Sequence, residues 1–123
     1  MATNKERAVD FLKLVVSGRI EEAYGKYVDM AGRHHNAVFP AGFDSLRKAM
    51  IGNHSQFPDK KYEVRNAIAE GDLVAVHGHL TLIPGDKGMV VVHIARFSGD
   101  RIVEFWDCGQ QLPADSPNSD GPF

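Results

Sequence analysis

A chain of 123 residues, 43% hydrophobic and 24% charged, has the size and mix of one compact soluble domain spanning residues 1–123 and is too short for two. Fourteen Lys and Arg against sixteen Asp and Glu give a formal net charge of −2. No stretch forms a cationic stripe, which argues against a nucleic-acid partner. The longest apolar runs, such as Met89-Val90-Val91-Val92, fall far short of the roughly 20 residues that cross a bilayer, so no membrane partner is expected. Charges at Lys5, Glu6, Arg7 and Asp10 occupy the place of a signal peptide's apolar core, and a single cysteine, Cys108, fits a reducing cytoplasm. One thiol makes neither an internal disulfide nor a Cys-x-x-Cys metal site. It has no cationic neighbour in sequence, so it reads as a packed side chain. Gly-rich phosphate loops, Gly-x-Ser-x-Gly and His-Glu-x-x-His are all missing, whereas six histidines stand out.

In chain order, Thr3 with Glu6 has the spacing of a capping box, and Ala8, Phe11, Leu12 and Val15 line one face of a first helix ended by Gly18. Ile20, Ala23, Tyr24, Tyr27 and Val28 repeat the pattern in a short second helix, where the two tyrosines read as core. Arg33 to Asn36 is a short polar segment. Pro40 and Gly42 separate it from a third helix with Phe43, Leu46, Ala49 and Met50, stopping near Gly52. After Pro58 the period changes to two through Tyr62, Val64 and Ile68. Leu73–Ile83, Met89–Ser98 and Arg101–Gln111 then form an antiparallel meander with turns at 84–87 and 98–100. Helices first and long strands last predict an α+β fold in which a curved sheet wraps around three N-terminal helices. Residues 113–123 read as an irregular extension whose Phe123 ring can dock on the body.

Polar residues inside otherwise apolar strands carry the chemical information. His93, within Met89–Phe97, must be hydrogen-bonded internally or face a cavity. Asp107 follows Trp106, and a carboxylate on a half-buried strand can have its pKa raised toward that of a general base. Strict alternation puts Val103, Phe105 and Asp107 on one face and Ile102, Glu104 and Trp106 on the other, so neither face is cleanly polar. A two-residue loop at Gly99-Asp100 would pair His93 with Trp106, whereas a three-residue bulged loop would pair it with Asp107. His77 and His79 share a face, a spacing that allows convergence on a ligand but equally suits a solvated surface. His34, His35 and Asn36 precede the third helix, and Asn53 and His54 lie at its far end, where both groups could serve only capping and loops.

Taken together, His34-His35-Asn36, Glu70 to His79, Val92 to Phe97, Arg101 to Gln110 and the closing Asn118 to Phe123 resemble the SnoaL-like polyketide cyclases of the nuclear transport factor 2-like superfamily. The resemblance is to the branch associated with aldol condensation, and it covers nearly the whole chain. It implies a cone of three helices against a curved, mostly antiparallel sheet with a central pocket, and homodimers formed through the outer face of the sheet. It also implies that His93 and Asp107 both point inward, which favours the bulged hairpin. The chain departs from the pattern at His34 for a Gln, Ala37 for a Pro, His93 where relatives often carry Asp, and Phe105 for a His.

These readings lead to a cofactor-free enzyme acting on a small hydrophobic carbonyl compound. Asp107 would remove a proton α to the carbonyl, His93 would polarise or reprotonate the oxygen, and His35, His79 and His54 would bind the substrate. An alternative is a non-catalytic small-molecule binding protein. A lower-ranked one is a metal site built from His35, His79, His93 and Asp107.

Overall fold

The computed structural model describes residues 2–123. The elements run α1 (Asn4–Val16), α2 (Ile20–Tyr27), β1 (Val28–His34), α3 (Phe43–Gln56), β2 (Lys61–Glu70), β3 (Leu73–Thr81), β4 (Met89–Ser98) and β5 (Arg101–Gln111). The five strands form one sheet in the order β1-β5-β4-β3-β2, antiparallel except for the β1–β5 pair. The α+β fold of three helices on a mostly antiparallel sheet is thus present.

Local chemistry sets the helices. Thr3 Oγ1 accepts from the Glu6 N–H at 3.1 Å while the Glu6 carboxylate accepts from the Thr3 N–H at 3.2 Å, closing the capping box of α1. Gly18, at φ +89°, reverses the chain into α2. Ala8, Phe11, Leu12, Ala23, Tyr24, Phe43 and Leu46 face the sheet, where they meet Val74, Val76, Ala95, Phe97, Ile102 and Phe105 in one core. Phe11 sits edge-on to both Tyr24 and Phe105, with centroids 5.3 and 5.8 Å away.

Two segments differ from the sequence expectation. α2 stops at Tyr27, and Val28, expected in the helix, opens β1, which absorbs Arg33 and His34. Val28 is as buried as a helix-core residue, but it is buried against Ile102 of β5. α3 continues past Gly52 to Gln56, because a helix interior tolerates one glycine at a cost of about 1 kcal/mol.

The β4–β5 hairpin resolves the two-faced strand. Ser98 pairs with Arg101 and Phe97 with Ile102, so the loop is the two-residue Gly99-Asp100. Arg96 nevertheless pairs with Glu104, leaving Val103 as an extra residue, and from there Ala95 pairs with Phe105 and His93 with Asp107. The bulge lies within the strand and not in the loop, where the sequence reading placed it. It puts Ile102 and Phe105, which strict alternation separates, on the same inner face, 0% and 5% exposed. β1 meets this bulge at Gly32, where a Cβ would run into the Val103 backbone carbonyl.

Gly32→Ala is therefore expected to destabilise the protein by about 1–3 kcal/mol, because backbone must move to admit one methyl. Gly52→Ala, at a position with open space around it, should stabilise by up to about 1 kcal/mol. Urea denaturation of both variants checks the pair, and equal effects would count against the close approach.

Candidate active site

The inner face is organised in rungs about 7 Å apart, since every second residue of each strand faces the helices. Val76, His93 and Asp107 form one rung; Gly78, Val91 and Gly109 form the next; Leu80, Met89 and Gln111 form the third. Toward the β4–β5 turn the face is sealed by Val74, Ala95, Phe97 and Ile102. In the other direction it opens: His93 and Asp107 are half-buried and Gly109 is exposed. A cavity of about 140 Å³ at the open end is lined by Phe57, Leu80, Leu82, Ile83, Met89 and Gln111 among others. A wider groove of about 400 Å³ lies between α1 and β2, lined by Lys5, Val9, Lys13 and Ala67 among others, and carries none of the polar atoms considered next.

Asp107 is held from β1. His34 is buried, with Nε2 donating to the Pro40 carbonyl at 2.9 Å and Nδ1 accepting the Asn36 N–H at 3.1 Å. This folds the chain after β1 so that Asn36 Nδ2 donates to Asp107 Oδ2 at 2.9 Å. The donated bond anchors one oxygen of the carboxylate. Burial pushes the Tyr24 hydroxyl well above its ordinary range, and the Asp107 carboxylate adds to the rise, so Tyr24 stays a neutral phenol beside the acid.

His93 stacks on Phe105, with centroids 5.6 Å apart. Burial lowers its pKa to about 4, with the Asp107 carboxylate opposing the shift, so the imidazole is neutral at pH 7. Its Nδ1 is buried without a partner, as is the Tyr62 hydroxyl, whose ring lies edge-on to His93 with centroids 6.3 Å apart. Protein surrounds His93 on nearly every side, yet the residue keeps accessible surface.

The other candidate histidines do not join this rung. His35 follows the edge of β1 outward, its Nε2 donating to Glu104 Oε2 at 2.7 Å and its ring stacking on Trp106 at 5.2 Å. There Glu104 also pairs with Arg33 and Arg96, and these bonds, with His35 first, hold its carboxyl below the usual carboxylate range. His79 alternates with Gly78 and so lies on the outer face, with Nε2 at 2.6 Å from the Lys87 carbonyl and the Phe123 ring 5.0 Å away. His77 shares that face, 3.0 Å from Asn66 and 5.7 Å from the Phe123 ring. His54 packs its ring over Gly18, filling the space a side chain there would need. His35, His79 and His54 are thus not brought to Asp107, and the metal set of His35, His79, His93 and Asp107 is split between the two faces of the sheet. Among the described residues, no three His, Cys, Asp or Glu side chains are grouped to hold a metal ion. Cys108, expected to pack, is exposed, because alternation after the inward Asp107 turns it outward. Asn36 and Tyr62 are the site residues that sequence reasoning left unassigned. Asn36 stands in the quoted His-His-Asn segment, but no local pattern marks Tyr62.

The depressed His93 pKa makes a signed prediction. Between about pH 4 and 6.5 the unfolded chain carries a proton on this residue that the folded protein does not, so stability rises with pH across that window and is lost as pH falls through it. His93→Asn should flatten the pH dependence of the unfolding free energy there by up to one proton's worth. Urea titrations from pH 4 to 7 measure it, and identical slopes in the two proteins would contradict the buried neutral imidazole.

Comparison with known proteins follows the same lines. The SnoaL-like domain family matches residues 8–105. A loop-truncation variant of IdmH from Streptomyces antibioticus superposes with a TM-score of 0.74 at 20% identity, covering 87% of this chain and 92% of that one. A SnoaL-like polyketide cyclase from Agrobacterium tumefaciens gives 0.72 at 16% identity over 89% and 93% of the two chains. An NTF2-like protein from Cytophaga hutchinsonii gives 0.70 at 12% identity over 89% and 92%. A search of the curated proteins found no match. With the family match running over most of its length and the same architecture in these relatives, the chain belongs to the SnoaL-like family.

Proposed function

We propose that the protein is a cofactor-free enzyme of the cyclase or isomerase type that performs acid–base chemistry on a small carbonyl compound in the recess above the His93–Asp107 rung. Membership of the SnoaL-like family supports a role of that general kind. One observation carries the reading further: a carboxylate clamped by Asn36 at 2.9 Å shares an inward rung with a neutral imidazole. Asp107 takes the proton from the carbon α to the carbonyl, and the C–H electron pair moves into an enolate. His93, neutral, donates to the enolate oxygen in surroundings where burial makes that bond count for more than in water. The enolate carbon then attacks a second carbonyl of the same molecule, an aldol closure, or is reprotonated at a conjugate position, an isomerisation. In either case Asp107 returns the proton. The apolar core side chains bordering the rung exclude competing water.

The same reading has the protein working in the cytoplasm as a homodimer. Two copies would pair through the outer sheet face, whose Val90, Val92, Ile94 and Trp106 are half-buried in the single chain.

The reaction needs no knowledge of the natural substrate to be tested. With 2-tetralone as probe in D2O, the protein is expected to speed exchange of the α-protons, followed by NMR. Asp107→Asn should slow that exchange by about 10²–10⁴-fold while the variant stays folded. Undiminished exchange in Asp107→Asn would remove the general-base assignment. No exchange by the parent protein, with tetralone still bound, would favour a binding protein of the same fold.

A further inference from the structure

The rung beyond His93 and Asp107 is unusual in composition. Gly78 and Gly109 flank Val91, so two of its three positions raise no side chain from the sheet. Both gaps are roofed from the third rung. A Cβ at Gly78 would meet Tyr62 Cε1 at 2.6 Å, and one at Gly109 would meet the Met89 methyl at 3.1 Å. Tyr62, paired with Leu80 across β2–β3, therefore leans back over Gly78 toward His93. That posture leaves its hydroxyl buried with no hydrogen-bond partner, close to an imidazole whose Nδ1 is in the same condition. Buried polar groups without partners are rare, and each costs stability until something completes it. Two of them on rings with centroids 6.3 Å apart, with Tyr62 paired to Leu80 of the cavity wall, call for a common partner.

We propose that Tyr62 is a ligand-binding residue of this site. Its hydroxyl and His93 Nδ1 share a single oxygen of the ligand, which selects apolar compounds bearing a hydroxyl group or its keto form. Burial holds the Tyr62 hydroxyl up to about 12, so it remains a donor at neutral pH. Met89, whose methyl covers Gly109, supplies an adaptable wall. The inference rests on the acid–base reading only for the place of the reacting carbon. Binding of the oxygen stands apart from any turnover.

The experiment compares 2-naphthol with 2-methylnaphthalene, which has the same shape and no hydroxyl, by equilibrium dialysis against the intact protein. The parent protein is expected to prefer the naphthol by about tenfold, a difference of about 1.4 kcal/mol. Tyr62→Phe should abolish most of that preference with an unchanged or raised Tm, because it deletes an uncompensated buried hydroxyl. Asp107→Asn should keep the preference, so that failure of the general-base assignment is read separately. Three results would overturn the proposal: no preference in the parent protein, including failure to bind either compound; a preference that survives in Tyr62→Phe; or a Tm several degrees lower in Tyr62→Phe, which would mean the hydroxyl already has a structural partner.

Discussion

The bulge at Val103 is the constraint on which the site depends. Without it, a two-residue hairpin would carry strict alternation along β5 and set Trp106, not Asp107, opposite His93. The extra residue also brings Ile102 and Phe105 to the same side, giving the core two of its buried side chains. One residue thus aligns the acid with the imidazole and closes the hydrophobic layer beneath them. Gly32 is the matching concession on β1, lying flat where the bulged carbonyl comes close.

The two faces of the sheet divide the polar residues by function. Outward, Glu104 gathers Arg33, His35 and Arg96, and His35 and Arg96 flank Trp106. These charges are solvated and mutually compensated. Inward, the polar atoms are few, and each departs from ordinary solvation: a carboxylate with one fixed donor, an imidazole held neutral by burial, and a phenol with no partner. Groups so placed are candidates for chemistry or recognition.

Much of this was legible in the sequence. The capping box at Thr3, the 3.6-residue stripes of the first helices and the long β-branched runs after Tyr62 each belong to local physics, and the elements formed where those signals lay. β1 was not legible, because Val28–His34 has a buried residue only at each end and an almost wholly exposed middle, so neither period shows. Its pairing with β5 is a tertiary fact. The site divides likewise. His93 and Asp107 stood out as polar residues in apolar strands, but their meeting depended on a bulge that Val103 does not advertise. His35, His54 and His79 drew notice by residue type alone, and type does not fix the face. Tyr62 drew none as a polar group, since its tyrosine looks like any core aromatic until its hydroxyl is traced.

The bond from Asn36 to Asp107 spans 71 residues of sequence, and β1 joins the sheet only through β5, the last strand of the chain. Closing so long a loop is entropically slow compared with zipping the β2–β3–β4–β5 meander. During synthesis the first three-quarters of the chain emerges with helices and half a sheet but with no acid in place. The carboxylate arrives with β5, and its clamp follows when β1 docks. The geometry of the His93–Asp107 rung is thus a late product of folding, and the intermediates that precede it lack the carboxylate.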